Sequence, residues 1–280
     1  LHDIGHTMIE YNGLQLQAFP EILRRYHHLI SKKLLEIETY RNKLGLNDLD
    51  DDIYKALKLI CMYHRKSMYL AAEPLGIKEM DKVFFEYFGE EAAPMIEHKE
   101  FKKLSENKQR ITLKVAALLK LLDEMDVQAD RIVDEYYDEA RDFRTKLELD
   151  HLEKQLENLK NEHSVKNISG DMDSILKRFA LEELKDLSNP VILAHSLANK
   201  IEFKREQKNH FRKHSSIIAV VPKIGKDGII INITTKSRDD GNEVKKDLEE
   251  QKQLLVEDGE NLPFRLFPFP LEKMRIKVST

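Results

Sequence analysis

The chain has a single cysteine, Cys61, among its 280 residues. One thiol cannot form an intrachain disulfide, so the fold must rest on a packed core, and a chain of this length buries enough apolar surface to form one. Cys61 lies inside the apolar run 56–62. We therefore expect a buried, reduced thiol rather than a nucleophile, in keeping with a reducing cytoplasm.

Long hydrophobic runs and a strong net charge are also missing. No apolar stretch approaches the roughly 20 residues needed to cross a bilayer, and the N-terminal residues lack the basic-then-apolar order of a signal peptide. The 46 basic and 50 acidic residues leave a net charge of -4, which does not favour nucleic acid as a partner. We expect a soluble, cytoplasmic protein with no membrane partner.

Helical periodicity dominates residues 19–149, where apolar residues recur at three- and four-residue spacing. The acidic run 47–52 predicts the N-cap of a helix that contains His64, and it lacks the glycine and terminal glutamate of an EF-hand loop. A charged helix is expected over 130–163. Its leucines form a narrow stripe that would join either two halves of the chain or two subunits: Leu147, Leu152, Leu156 and Leu159.

The character of the sequence changes after residue 164. Helices are expected over 171–187 and 191–208, and the β-branched runs 217–221 and 229–234 flank a glycine-containing turn typical of a hairpin. A further strand pair is expected within 262–278. The predicted fold class is mainly α, with a helical bundle over 1–163 followed by a smaller α+β region over 164–280 that contains a short antiparallel sheet.

Imidazole and carboxylate side chains recur on separate predicted helices. His2 and Asp3 are adjacent, His28 and His64 follow, and Asp123 ends the otherwise apolar run 116–123. An unpaired carboxylate facing a core costs several kcal/mol, a cost that a bound metal removes. The alternative for Asp123 is a surface acid or a salt bridge.

This order of residues resembles the HD superfamily of metal-dependent phosphohydrolases. The resemblance covers roughly residues 1–133 and rests on the sequence LHDIGH at 1–6 and LLDEMDV at 121–127. It implies that His2, Asp3 and Asp123 are metal ligands, with His64 as a further ligand. The family pattern also has an earlier histidine on a preceding helix, so we expect a segment upstream of Leu1.

The resemblance implies roles for four other residues. His6 and His28 resemble histidines that contact a phosphate or a second metal, whereas His27 should face elsewhere because adjacent helical residues point about 100° apart. Arg65 and Lys66 resemble phosphate-binding cations of the family, since a guanidinium binds phosphate bidentately. The alternatives are a packing role for His28 and a solvated basic helix end for Arg65 and Lys66.

The implied activity is hydrolysis of a phosphoester, with a nucleotide as the expected substrate, assisted by a divalent Mn, Fe, Zn, Ni or Mg ion. The main alternative is a catalytically incomplete HD module that serves sensing or interaction in a larger protein, with a fused or partner Hsp90-like ATPase domain. The sequence leaves open whether the chain forms a homo-oligomer.

A third hypothesis is nucleic-acid contact through the basic stretch 200–216. Its basic residues are Lys204, Arg205, Lys208, Arg212 and Lys213, with His210 and His214. The two histidines lack the glutamate of an HExxH zinc motif.

Overall fold

The computed structural model describes residues 1–72, 79–126, 135–225 and 228–280. Helices dominate these residues, and none of the described helices is both long and apolar enough to span a membrane. The α-helices are α1 (Pro20–Glu36), α2 (Glu38–Lys43), α3 (Asp51–Tyr63), α4 (Glu79–Tyr87), α5 (Lys99–Lys102), α6 (Glu106–Met125), α7 (Glu135–His163), α8 (Met172–Arg178), α9 (Pro190–Ser216) and α10 (Arg238–Glu260).

The strands form two small sheets in the described residues. They are β1 (Glu10–Tyr11), β2 (Leu14–Gln15), β3 (Ile217–Gly225), β4 (Gly228–Thr235) and β5 (Arg275–Ser279). β1 pairs with β2, and the C-terminal sheet has the order β3-β4-β5. The predicted fold class, mainly α with a short C-terminal sheet, is confirmed.

The C-terminal sheet differs in one respect from the expectation. The hairpin of β3 and β4 is antiparallel, as predicted, but the stretch 262–278 supplies one strand rather than a pair, and β5 runs parallel to β4. A parallel pair needs a crossover connection, usually a helix. Here α10 lies between β4 and β5 in the chain and contacts both strands.

Two local predictions around α3 are confirmed. The Asp50 carboxylate accepts hydrogen bonds from the backbone N–H groups of Asp52 at 3.0 Å and Ile53 at 3.3 Å, which satisfies donors at the helix start. Cys61 is buried, and this burial raises the pKa of its thiol to about 11. The thiol is therefore protonated at neutral pH and unsuited to nucleophilic attack.

α10 is a long helix that the sequence reasoning passed over. Ser237 caps its start by accepting from the N–H of Asp240, and Val244, Leu248 and Leu255 bury its apolar face. The helix contacts α6 as well as the sheet. Its capping serine and the apolar residues at helical spacing were the available signals. In contrast, the helix expected over 171–187 is shorter, because α8 ends at Arg178.

The chain divides into two compact units. The first consists of Leu1–Gly5, His28–Arg131 and Lys213–Thr280, and the second of His6–His27 and Ile132–Arg212. The expected domain boundary after residue 163 stays a prediction.

The predicted leucine stripe of α7 lies in the second unit. Leu156 is buried with Ala194, Leu197 and Ile201 of α9, and Leu152 and Leu159 pack against the same cluster. Leu147, in contrast, is exposed. This part of the stripe therefore joins two helices of the same chain.

A buried ion-pair cluster in the first unit centres on Glu90. Its Oε1 lies 2.5 Å from Nζ of Lys32 and 2.7 Å from Nζ of Lys33, and its Oε2 lies 3.4 Å from Nε2 of His98. Burial acts to raise the pKa of Glu90, but hydrogen bonding to His98 and the two ammonium groups outweigh it and bring the pKa down to about 2.

We expect Glu90→Gln to lower the free energy of unfolding by about 3 kcal/mol at pH 7, because it leaves the buried Lys32 ammonium without its closest counter-ion. Since the pKa of Glu90 in the folded chain lies below its usual value of 4.5, its stabilisation is present above pH 4.5 and is lost as the pH falls towards 2. Urea denaturation at a series of pH values should show the free energies of unfolding of the unchanged chain and of Glu90→Gln approaching each other as the pH falls. A difference that stays constant with pH would contradict this assignment.

Candidate metal site

His2 and Asp3 lie in a turn just before a short 3₁₀ helix, Ile4–Thr7. Ser31 of α1 fixes this turn: its buried hydroxyl accepts a hydrogen bond from the N–H of Gly5 at 2.8 Å and donates one to the carbonyl of His2 at 2.5 Å. The sequence reasoning missed Ser31. Its position on the core face of an apolar helix indicated that the hydroxyl would need a hydrogen-bond partner. The sequence does not show that the partners are the backbone groups of His2 and Gly5.

His64 stands at the C-terminal end of α3 and is almost fully buried. Its Nδ1 lies 2.7 Å from the carbonyl oxygen of Cys61. Because a carbonyl can only accept, Nδ1 carries the proton and Nε2 keeps its lone pair in the neutral ring. Burial is the largest of the influences that lower the pKa of His64 to about 4, so the ring is neutral at physiological pH.

Four potential ligands converge from three segments of the first unit. Nε2 of His2 lies 3.1 Å from Oδ2 of Asp3 and 3.6 Å from Oδ1 of Asp123, which is on the last turn of α6. Nε2 of His64 lies 3.9 Å from Oδ1 of Asp3. The His2 and His64 rings stand edge to face, with centroids 4.9 Å apart. We call these four residues the metal cluster.

The metal cluster fits a divalent cation. Ligand atoms about 2.0–2.2 Å from one ion lie roughly 3–3.5 Å from each other. The His2–Asp3 and His2–Asp123 separations of 3.1 Å and 3.6 Å are near this range, whereas the His64–Asp3 separation of 3.9 Å exceeds it. One ligand atom from each of His2, Asp3 and His64 lies within 4.8 Å of the others. Burial, and then the nearby Asp3 carboxylate, raise the pKa of Asp123. Two close carboxylates and a neutral imidazole with its lone pair on Nε2 are suitable ligands for Mn, Fe, Zn or Ni.

Lys120 connects α6 to the segment that follows His64. It is buried on α6, one turn before Asp123, and its ammonium donates hydrogen bonds to the carbonyl of Arg65 at 2.7 Å and to that of Met68. Burial lowers its pKa to about 8. A lysine inside an apolar run was the signal for a buried partner, but the acceptors are 55 and 52 residues away in the chain.

The two predicted phosphate-binding cations differ in their surroundings. Arg65 is close enough to Asp123 for its charge to oppose the rise in that carboxyl pKa. Lys66 forms an ion pair with Glu250 of α10, with Nζ 2.5 Å from Oε2. The charge of Arg65 therefore acts on a carboxyl of the metal cluster, whereas the ammonium of Lys66 is paired with Glu250.

His6 and His28, the two other histidines with a predicted role, belong to different units. His6 belongs to the second unit, where its ring stacks on His27 with centroids 4.3 Å apart. His28 belongs to the first unit, is 2% exposed and stands edge to face with Phe85 at 6.5 Å. It is not a member of the clusters of three or more ligand atoms found in the described residues. As expected, His27 and His28 have different neighbours.

The basic stretch 200–216 is partly neutralised within the second unit. Lys204 forms an ion pair with Glu148 of α7, and Arg205 forms one with Glu153 at 2.7 Å. For His210, Arg212, Lys213 and His214 the structure describes the helical backbone but not the side chains. The described ion pairs reduce the positive charge that this stretch can offer to a phosphate backbone.

Searches against protein-family models, curated proteins and solved structures found no match. The functional assignment therefore depends on the residues and on the geometry of the metal cluster.

Proposed function

We propose that this chain carries the metal-binding part of an HD-type phosphohydrolase, which hydrolyses a phosphoester, with nucleotides as the substrate class. One observation supports the proposal most: His2, Asp3 and the distant His64 each offer a ligand atom within 4.8 Å of the others, and the Asp123 carboxylate lies 3.6 Å from Nε2 of His2. His2, Asp3, His64 and Asp123 would hold a single ion.

The roles of the residues follow from their positions. A divalent ion held there would supply Lewis acidity and lower the pKa of a water. His64 keeps its lone pair on Nε2 because the Cys61 carbonyl holds the other ring proton. A carbonyl partner of this kind also fixes the orientation of a ligating imidazole. Arg65, whose charge acts on Asp123, would bind a phosphate of the substrate through its planar guanidinium.

A panel of nucleotides tests the proposal. The full chain would be incubated with nucleoside mono-, di- and triphosphates and with Mn²⁺, Fe²⁺, Zn²⁺, Ni²⁺ or Mg²⁺ in turn, and phosphate release would be measured. We expect release that depends on the metal and stops when a chelator is added. Stoichiometric metal binding without release from any substrate would contradict the enzymatic proposal.

A second candidate is a catalytically incomplete module that binds metal but serves sensing or interaction, next to a fused or partner ATPase domain. The ion pair between Lys66 and Glu250 favours it, because a cation expected to meet the phosphate is already engaged. This candidate predicts that Mn²⁺ raises the melting temperature while phosphate release stays at background. Release lost in Lys66→Met but kept in Glu250→Gln would count against it.

A further inference from the structure

Two residues of the metal cluster lie at the ends of helices that pack against each other. His64 stands at the C-terminal end of α3, Asp123 is on the last turn of α6, and the two helices are in contact. One ion can bind both side chains only if these helix ends keep a fixed separation, because its ligand atoms must lie about 2.0–2.2 Å from it. The position of the segment that carries His64, relative to α6, therefore sets the geometry of the metal cluster.

Lys120 joins these two helix ends. It lies on α6, three residues before Asp123, and its ammonium donates hydrogen bonds to the backbone carbonyl of Arg65 at 2.7 Å and to that of Met68. Arg65 directly follows His64 in the chain. A lysine ammonium has three donors and no acceptor, so it can hold both carbonyls at once. The contact therefore lies next to a predicted metal ligand in each of the two segments.

The same segment is held a second time, from α10. The Asp258 carboxylate accepts hydrogen bonds from the backbone N–H groups of Leu70, Ala71 and Ala72. Burial lowers the pKa of Lys120 to about 8, and the charge of Asp258 opposes this shift. We call residues 65–72 the clamped segment. A cation on α6 binds its carbonyls and an anion on α10 binds its amides, so both contacts fix the backbone directly.

A buried ammonium is a poor device for stability alone. Lys120 is 2% exposed and lies among the buried apolar residues Ala116, Ala117 and Leu121 of α6. Taking a charge out of water is costly, and an apolar side chain of similar volume often packs at least as stably. The charge is therefore better explained by the position that it imposes on the clamped segment than by the stability that it adds.

We propose that Lys120 is a positioning residue for the metal cluster: by holding the carbonyls of Arg65 and Met68 against α6, it sets the separation of His64 and Asp123. This inference rests on the proposed metal site and deepens it, because it assigns part of the metal affinity to a residue that does not touch the ion. Removing a residue that supports metal ligands in this way typically weakens binding by about 10–100-fold.

The first test compares Lys120→Met with the unchanged full chain. Methionine keeps an apolar stem and removes the charge and the donors. Isothermal titration with Mn²⁺ should give a Kd about 10–100-fold higher in Lys120→Met. Glu90→Gln is the matched control: it also removes a buried charge from the first unit, but the partners of Glu90 are Lys32, Lys33 and His98. Its Kd should stay within about twofold of that of the unchanged chain. Circular dichroism checks that both variants fold.

Hydrogen exchange of the unchanged chain tests the clamped segment without any variant. An ion that binds the closed arrangement more tightly than an opened one makes opening rarer by the ratio of the two affinities. Saturating Zn²⁺ should therefore slow exchange of the Leu70, Ala71 and Ala72 amides by at least about tenfold. The amides of α8, in the second unit, serve as the reference and should change less.

The outcomes separate this proposal from the proposed function. An unchanged chain that binds no Mn²⁺ would contradict the metal cluster itself and, with it, the role of Lys120. Equal Mn²⁺ affinity in Lys120→Met and the unchanged chain would overturn the role of Lys120 alone. So would equally weakened binding in Glu90→Gln, which would indicate lost stability rather than lost position. If Lys120→Met does not fold, the exchange measurement decides, and amides of 70–72 that exchange equally fast with and without Zn²⁺ would overturn the proposal.

Discussion

Replacing Asp3 with alanine is expected to abolish metal-dependent phosphate release and to change the free energy of unfolding by less than about 1 kcal/mol. The side chain of Asp3 is 51% exposed, and its two oxygens lie 3.1 Å and 3.9 Å from the Nε2 atoms of His2 and His64. Its loss therefore removes a metal ligand but little buried contact. Replacing a residue that only supports metal ligands costs about 10–100-fold, so we expect a loss of at least about 100-fold here.

Asp51→Ala serves as the control for this prediction, because Asp51 is an exposed acid on the first turn of α3. It should retain full hydrolysis. Asp3→Asn keeps the shape of the side chain and removes its charge, and it should lose activity like alanine. Hydrolysis that persists in Asp3→Ala would move the active site elsewhere in the chain.

Asp258→Ala is expected to lower the free energy of unfolding by about 5 kcal/mol, since it would leave three buried donors without an acceptor, at about 1–3 kcal/mol each. Asp258 is 1% exposed on α10, and its Oδ1 accepts hydrogen bonds from the N–H groups of Leu70, Ala71 and Ala72 at 2.9, 2.8 and 3.0 Å. Urea denaturation measures the loss.

The matched control for Asp258 is Glu260→Ala, two residues along the same helix and exposed. It should change the free energy of unfolding by about 0.5 kcal/mol or less. Asp258→Asn keeps one oxygen acceptor and should fall between the two. If Asp258→Ala is no less stable than Glu260→Ala, the carboxylate does not anchor the segment after α3.

The sequence predicted those parts of the structure that are encoded locally. The acidic run before α3 predicted its N-cap, because a capping side chain bonds amides two and three residues ahead. The two β-branched runs predicted the β3–β4 hairpin, because strands joined by a short glycine-containing turn pair with each other. The resemblance to HD phosphohydrolases indicated His2, Asp3 and His64, whose ligand atoms lie within 4.8 Å of one another, and Asp123, which lies 3.6 Å from His2. Their role as metal ligands stays a prediction.

The missed features depend on contacts between distant segments. Lys120 donates to backbone carbonyls and Asp258 accepts from backbone amides. Almost every residue has these groups, so the amino-acid sequence does not show which of them will be the partners. The parallel pairing of β5 depends on the path of α10, which the periodicity of β5 does not encode. α10 itself was recoverable, since its cap and apolar spacing are local.

The central claim, that His2, Asp3, His64 and Asp123 hold one divalent ion, is tested most directly by anomalous diffraction from crystals of the full chain soaked in Mn²⁺. We expect one strong peak about 2.0–2.3 Å from Nε2 of His2, Nε2 of His64 and an oxygen of each carboxylate. The peak should be absent from His64→Ala crystals. A peak at other residues, or none between these four side chains, would contradict the claim.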